Sequence, residues 1–235
     1  MSDRAIFEVI ATSAEDAVAA AAGGADRLEL AGEMAADGLT PDLAEFARIR
    51  AAVHVPLRVM LRDGNGFVVR DLDGLCAKAQ ALRAEGAEEF VLGFLTPEGE
   101  VDLASVRTLL EAIPGCSWTF HRALDNATSR EEVRAAIDGL PGLDTVLTAG
   151  SAAGVATGMD VLAHEVAQAG APGYRPRILV GGGLKTQHIP RLRAAGIDGF
   201  HVGTMVRTGS GWHTPLDTGL VQQWRRLLDA EPVAA

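Results

Sequence analysis

The chain has 235 residues, 48% of them hydrophobic, which is enough to bury one large core. Its net charge of -10 argues against a nucleic-acid-binding protein, and no run of more than two Lys/Arg residues is present to bind a membrane surface. The sequence begins without a signal peptide and contains no long apolar span, so we expect a cytoplasmic protein.

Short apolar runs alternate along the chain with longer stretches rich in Ala, Leu, Arg and Glu, whose apolar residues recur at helical spacing. The runs predict strands at residues 6–10, 27–30, 57–62, 89–93, 117–121, 144–148, 177–181 and 199–203. Between them, Thr40 before Pro41 predicts the cap of the second helix, and Ser129 with Glu132 predicts a capping box.

Eight strand–helix units without a linker predict an α/β protein with one domain over residues 1–235, a single TIM-like (β/α)8 barrel. The alternative is an open, doubly wound sheet, which usually carries a glycine fingerprint after its first strand; here that strand is followed by Ala11-Thr12-Ser13. The strand-to-helix links 31–40, 63–71 and 204–215 are long. They predict a small-molecule site at the C-terminal ends of the strands.

Charged residues recur at strand positions whose side chains should point into the barrel, because side chains alternate along a strand. These positions are Glu8, Glu29, Arg62, His121 and His201. One interpretation is an ion-paired plug, with Glu29 bound to Arg58 or Arg62. The other is a functional site in which imidazoles face carboxylates for proton transfer near neutral pH. The dense stretch at the end of the fifth strand adds Arg122 and Asp125 to this set.

Glycines follow the last two predicted strands. Gly181, Gly182 and Gly183 end the seventh strand, and Gly203 and Thr204 end the eighth. Backbone amides in these two loops hold phosphate in many barrels, so the pattern predicts an anion or phosphate site. The alternative is that the glycines only relieve crowding. Lys185 is either an added cation for the anion or solvated surface.

Several segments, in chain order, resemble the CutC family, which is named for copper homeostasis. They are Phe7-Glu8-Val9, Gly23-Gly24-Ala25-Asp26-Arg27-Leu28-Glu29-Leu30, Gly38-Leu39-Thr40-Pro41, Val59-Met60-Leu61-Arg62, Thr119-Phe120-His121-Arg122-Ala123-Leu124-Asp125, Leu147-Thr148-Ala149-Gly150 and Phe200-His201. The resemblance implies a TIM-barrel-like fold, a homo-oligomer and an association with copper.

The chain departs from the family at positions that bear on copper. Members commonly carry cysteine in the regions occupied here by Ile10 and Ala31, and the stretch after Arg62 lacks the family's second arginine. The two cysteines, Cys76 and Cys116, have no metal-type spacing, and we expect them to be reduced and structural. A thiolate copper site is therefore not expected, although the family name keeps copper as a candidate cofactor.

Three functions follow from these residues. In a copper-handling protein without catalysis, His121, His201 and Met60 would be the ligands. In a metal-independent enzyme, His121 or Glu29 is the general acid or base, Arg62 and Arg122 hold an anionic group of a small molecule, and Asp125 orients Arg122 or His121. In a divalent-metal enzyme, Glu8, Glu29 and the histidines are the ligands.

Overall fold

The structure is a computed structural model that describes residues 4–209 and 211–230. Eight parallel strands pair in chain order, and β1 pairs with β8 to close a barrel, as the sequence predicts. The strands are β1 (Ile6–Ala11), β2 (Arg27–Leu30), β3 (Leu57–Met60), β4 (Glu89–Leu92), β5 (Ser117–Phe120), β6 (Leu143–Thr148), β7 (Arg177–Val180) and β8 (Gly199–Val202). The predicted boundaries agree to within two residues.

Helices surround the strands as an outer layer. They are α1 (Ala14–Gly23), α2 (Leu43–Ala52), α3 (Leu72–Ala84), α4 (Leu103–Ala112), α5 (Ala123–Asn126), α6 (Arg130–Ile137), α7 (Val155–Val166), α8 (Ile189–Ala194) and α9 (Thr218–Asp229). Among the helices described, none combines the length and the apolar character that a bilayer crossing needs.

The strands alternate between two environments, as the pleat requires. On β1, Phe7 and Val9 are fully buried toward the helices, and Phe7 stacks on Trp224 of α9 at 6.2 Å between ring centroids. Glu8 between them has Arg27 of β2 and His201 of β8 as its register partners on the neighbouring strands. The alternation therefore packs an apolar outer core and gathers charge inside the barrel.

Side chains cap the starts of α1, α3, α4, α6 and α9. The Ser129 hydroxyl accepts a hydrogen bond from the Glu132 amide, which is one of the two bonds of the predicted capping box. The predicted cap at Thr40 is wrong, because α2 begins at Leu43 after Asp42. The Thr40 hydroxyl instead donates to the Arg62 carbonyl at 3.0 Å and accepts from the Arg62 amide at 2.9 Å. Thr40 thus fixes the backbone of a cavity residue.

The N-terminal half of the barrel is closed by an ion-paired layer. Arg58 is buried and donates to Glu89 at 2.8 Å, to Asp144 at 2.6 Å and to the Thr119 hydroxyl at 2.5 Å. An arginine paired on several sides fills the barrel without an unsatisfied charge. The plug that the first interpretation assigned to Glu29 is therefore built by Arg58 with other partners, and the opposite end of the barrel stays open.

Candidate functional site

A cavity of about 460 Å³ lies at the C-terminal ends of the strands. Five of the seven predicted acid, base and cation residues line it: Glu29, Arg62, His121, Arg122 and His201. Glu8 and Asp125 are buried and contact residues of this wall. Glu8 and Asp125 therefore do not line the cavity themselves. They are placed to position His201 and Arg122, which do.

Arg62 reaches the cavity from the end of β3. One terminal nitrogen donates to the Asp37 carbonyl at 2.8 Å, and the other lies 3.0 Å from Nε2 of His121. Its central guanidinium carbon lies 5.2 Å from the centroid of the Phe67 ring, and its Nε has no hydrogen-bond partner among the residues that the structure describes. Within the described part of the chain, Arg62 forms no ion pair with a carboxylate. Burial lowers the pKa of this guanidinium, although the charges of Glu29 and Asp37 act against that effect, so a bound anion would supply the direct ion pair that Arg62 lacks among the described residues.

His121 is held between two hydrogen-bond donors. Its Nε2 lies 3.0 Å from an Arg62 nitrogen and its Nδ1 lies 3.2 Å from the Ala123 amide, and a neutral imidazole can accept a hydrogen bond from only one of the two. A protonated imidazole would place an N–H against a donor on both sides. Burial and the adjacent Arg62 charge hold the pKa of His121 well below its usual range. His121 is therefore a neutral imidazole at physiological pH.

Glu8 and His201 form a buried pair below the cavity. Glu8 accepts from Arg27 Nε at 2.5 Å with one oxygen and contacts Nδ1 of His201 at 2.8 Å with the other. Although burial opposes ionisation, Arg27 and His201 lower the pKa of Glu8 to about 2. Because this carboxylate can only accept, His201 carries its proton on Nδ1. Burial favours neutral His201, but the charges of Glu29 and Glu8 prevail and raise its pKa.

Glu29 is the buried acid of the cavity that lacks a full set of partners. Its Oε2 has no hydrogen-bond partner, and it forms no ion pair with Arg58 or Arg62 in the described chain. Burial raises its pKa, and the charge of Glu8 adds to that increase. A carboxylate oxygen of Glu29 lies within 4.8 Å of a carboxylate oxygen of Glu8 and of a ring nitrogen of His201. Glu29 is thus placed to exchange a proton.

Asp125 anchors Arg122 at the cavity wall. The Arg122 Nε donates to Asp125 at 2.9 Å, and the same carboxylate accepts from Arg130 at 2.7 Å, Thr148 at 2.5 Å and the Ala149 amide at 2.8 Å. Four donors fix the carboxylate, so Asp125 positions Arg122. The sequence left open whether Asp125 orients Arg122 or His121, and the hydrogen bond between Asp125 and Arg122 favours Arg122.

The glycine-rich loops fit the anion prediction in part. Gly182, Gly183, Gly203 and Thr204 line the cavity together with Lys185. The amides of Gly182 and Gly183 have no acceptor within residues 4–209 and 211–230. The inclusion of Gly181 is wrong, because its amide donates to the Thr148 carbonyl at 3.1 Å. A Cβ at Gly181 would lie 2.8 Å from the His201 ring, so its role is close packing.

Several cavity residues were not predicted. They include Ile10 on β1 and, from segments beyond the strand ends, Met34, Asp37, Phe67, Met205 and Trp212. Alternation along strands identifies inward side chains only within strands, and most of these residues lie beyond strand ends. The long links after strands indicated where such residues would come from, but not which of them reach inward.

Potential metal ligands divide into three groups. Cys76 lies on α3 and Cys116 just before β5, both away from the cavity, and burial raises the pKa of each thiol. Glu8, Glu29 and His201 are close enough to share an ion, but both oxygens of Glu8 are already paired. Three thioethers line the cavity: Met34, Met60 and Met205. A thiolate centre does not fit this arrangement, whereas thioether and imidazole donors are present.

The sequence model of the CutC family matches residues 5–206, which is most of the chain. The chain belongs to the CutC family. The CutC family protein of Xanthomonas campestris pv. campestris (strain 8004) is 35% identical over 218 residues, covering 89% of this chain and 87% of that protein. The CutC family protein of Bacteroides thetaiotaomicron is 35% identical over 200 residues, covering 83% of this chain and 79% of its own length.

A solved structure shows the same fold for another CutC protein. The protein of Streptococcus agalactiae, whose name refers to copper homeostasis, superposes with a TM-score of 0.77 at 24% identity. The match covers 85% of this chain and 98% of the other. At this identity the similarity shows that this CutC member has the barrel fold, but it does not identify its ligand.

Proposed function

We propose that this CutC-family barrel is a metal-independent acid–base enzyme acting on a small anionic molecule. The observation that carries the proposal is that Glu29 and Arg62 are both buried in one cavity and do not pair with each other. A purely structural pair of opposite charges would be expected to close, because isolated buried charges are costly. Because Glu29 and Arg62 are not paired with each other, both are available to a bound small molecule.

Arg62 supports binding of the anion. Arg62 makes no direct ion pair with a carboxylate among the described residues, and Arg122 and Lys185 line the same cavity. Guanidinium groups bind carboxylate and phosphate oxygens with two parallel hydrogen bonds, which also fixes the ligand's orientation. The unoccupied amides of Gly182 and Gly183 add neutral donors on the wall formed after β7.

Glu29 supports the proton-transfer step. Its raised pKa keeps a proton on the carboxyl group at a pH where an exposed glutamate is ionised. When Glu29 gives that proton to the bound molecule, the new carboxylate lies beside His201, and its charge raises the pKa of His201. His201 in turn is held by ionised Glu8. In the reverse direction, the Glu29 carboxylate accepts the proton.

The anion site is tested by isothermal titration of inorganic phosphate into protein treated with EDTA. We expect saturable binding to wild type and at least a tenfold loss in Arg62→Gln. The matched control is Arg107→Gln, an exposed arginine on α4, which should bind as wild type does. Binding that appears only after a metal is restored, or that is equal in Arg62→Gln, would overturn the proposal.

A copper-handling role is the second candidate, favoured by the three methionines and His201 in the cavity. Soft Cu(I) accepts thioether sulfur and imidazole nitrogen. The same cavity holds the cationic groups of Arg62 and Arg122, which oppose a metal cation, and this places copper second. An anaerobic competition titration decides between them. Tight stoichiometric Cu(I) that is lost in Met60→Leu, but kept in Cys76→Ser, would favour the copper role.

A further inference from the structure

The cavity wall contains both cationic and apolar residues. The cations come from the segments after β3, β5 and β7, in the order Arg62, Arg122 and Lys185. β8 and β1 are neighbours in the closed barrel, and Trp212 in the loop after β8 and Ile10 on β1 also line the cavity. The site therefore offers an apolar surface at Trp212 and Ile10 together with cationic groups.

Trp212 forms the centre of this apolar surface and is held in place. A Cβ built on Gly203 would lie 2.3 Å from the Trp212 ring and 3.1 Å from Cδ1 of Ile10. The indole ring therefore occupies the space that only a glycine at position 203 leaves open. The bare backbone of Gly203 brings the indole and Ile10 together into one surface.

Arg207 fixes the opposite side of the indole. Its guanidinium lies 5.1 Å from the Trp212 ring centroid. Arg207 is itself anchored by Asp16 at 2.5 Å and by the Thr214 carbonyl at 2.7 Å. Because Asp16 belongs to α1, the loop after β8 is tied to a different part of the barrel. The aromatic surface is thus ordered before a ligand arrives, which lowers the entropic cost of binding.

We infer that the ligand of this site is an amphipathic anion, with a flat apolar group against Trp212 and Ile10 and its charge toward Arg62. This inference rests on the anionic ligand of the proposed function and names its class. A purely polar anion would leave the Trp212 ring in contact with water. An aromatic ring of the ligand bound against Trp212 removes apolar surface of both the protein and the ligand from water. Trp212 is then a specificity residue.

The test compares phenyl phosphate with inorganic phosphate by isothermal titration of EDTA-treated protein. We expect wild type to bind phenyl phosphate at least tenfold more tightly. In Trp212→Ala the ratio of the two affinities should fall to near one. Gly203→Ala should lower the same ratio while keeping the indole, because the added Cβ displaces the ring. His213→Ala, an exposed neighbour in the same loop, should keep the wild-type ratio.

The outcomes separate this inference from the proposed function. If inorganic phosphate binds and phenyl phosphate binds no more tightly to wild type, the amphipathic ligand class is wrong and the anion site stands. A tenfold preference that survives in both Trp212→Ala and Gly203→Ala also overturns the role of Trp212. If neither compound binds, the anion site itself fails.

Discussion

Nε2 of His121 and a terminal nitrogen of Arg62 lie 3.0 Å apart at the mouth of the barrel, although arginine can only donate. The contact is satisfied when Nε2 accepts, which requires a neutral imidazole with its proton on Nδ1. His121 thereby fixes the Arg62 guanidinium without neutralising its charge. A carboxylate at position 121 would have closed an ion pair and removed the cation from the cavity.

The pKa of His121 should lie below the usual histidine value of 6.5, and the pKa of His201 should lie above it. Burial and Arg62 lower the pKa of His121, whereas Glu29 and Glu8 raise that of His201 against the effect of burial. An NMR titration of the imidazole Cε1–H resonances measures both, with assignment by His121→Asn and His201→Asn. A His121 that becomes protonated above pH 6.5 would contradict the arrangement described for Arg62.

Glu29→Gln should leave the protein as stable as wild type at pH 8, or more stable. The folded pKa of Glu29 is raised above 4.5, so the folded state binds its proton more tightly than the unfolded chain does. The stability this contributes is fully present below pH 4.5 and is lost as the pH rises through the folded value. Glutamine has no such loss.

Urea unfolding at pH 5 and pH 8 measures this difference. Wild type should lose more unfolding free energy between the two pH values than Glu29→Gln does. Glu111→Gln, on the exposed side of α4, is the control and should follow wild type. A Glu29→Gln variant destabilised by about 3–5 kcal/mol at pH 8, the cost of a broken buried ion pair, would show that Glu29 is structural.

Glu8→Gln, unlike Glu29→Gln, should destabilise the folded protein. Glu8 is fully buried and ionised, and its removal leaves Arg27 without its partner carboxylate, at a cost of about 3–5 kcal/mol. Its folded pKa of about 2 lies below 4.5, so its stabilisation is complete above pH 4.5 and lost as the pH falls toward 2. Urea unfolding at pH 7 gives the loss. A stable Glu8→Gln variant would refute the pairing.

Gly182→Ala should weaken phosphate binding by displacing a cation. A Cβ at Gly182 would lie 2.5 Å from the central carbon of the Arg122 guanidinium. Gly183→Ala is a matched control, because both glycines have a positive φ, 90° and 73°, but the space around Gly183 is open. We expect titration calorimetry to show a larger loss in Gly182→Ala. Equal losses in the two variants would mean that backbone strain, not Arg122, is responsible.

The fold and the inward-facing charges could be predicted because a barrel strand alternates strictly between two environments. Glu8, Glu29, Arg62, His121 and His201 follow from that alternation alone. Which charges pair does not follow, since pairing depends on the stagger between strands that lie far apart in sequence. Arg58 thus reaches Glu89 and Asp144, while Glu29 makes no ion pair within residues 4–209 and 211–230.

Loop residues were beyond sequence reasoning for a related reason. Trp212 reaches the cavity only because Gly203 lacks a Cβ and Arg207 is tied to Asp16, which precedes it by 191 residues. Thr40 was assigned to a helix cap because local spacing favours that role, but a tertiary contact with Arg62 determines its position. Gly181 was assigned to the anion site because hydrogen bonds across β6 and β7 cannot be read from one strand.

The proton-transfer role of the cavity is tested most directly by profiling a mixture of cellular metabolites incubated with the purified protein in EDTA. We expect wild type to deplete an anionic metabolite and form a product, and Glu29→Gln and Arg62→Gln to leave the mixture unchanged. Glu111→Gln should act as wild type does. If wild type changes nothing, or only after copper or a divalent ion is restored, a metal-independent acid–base enzyme is contradicted.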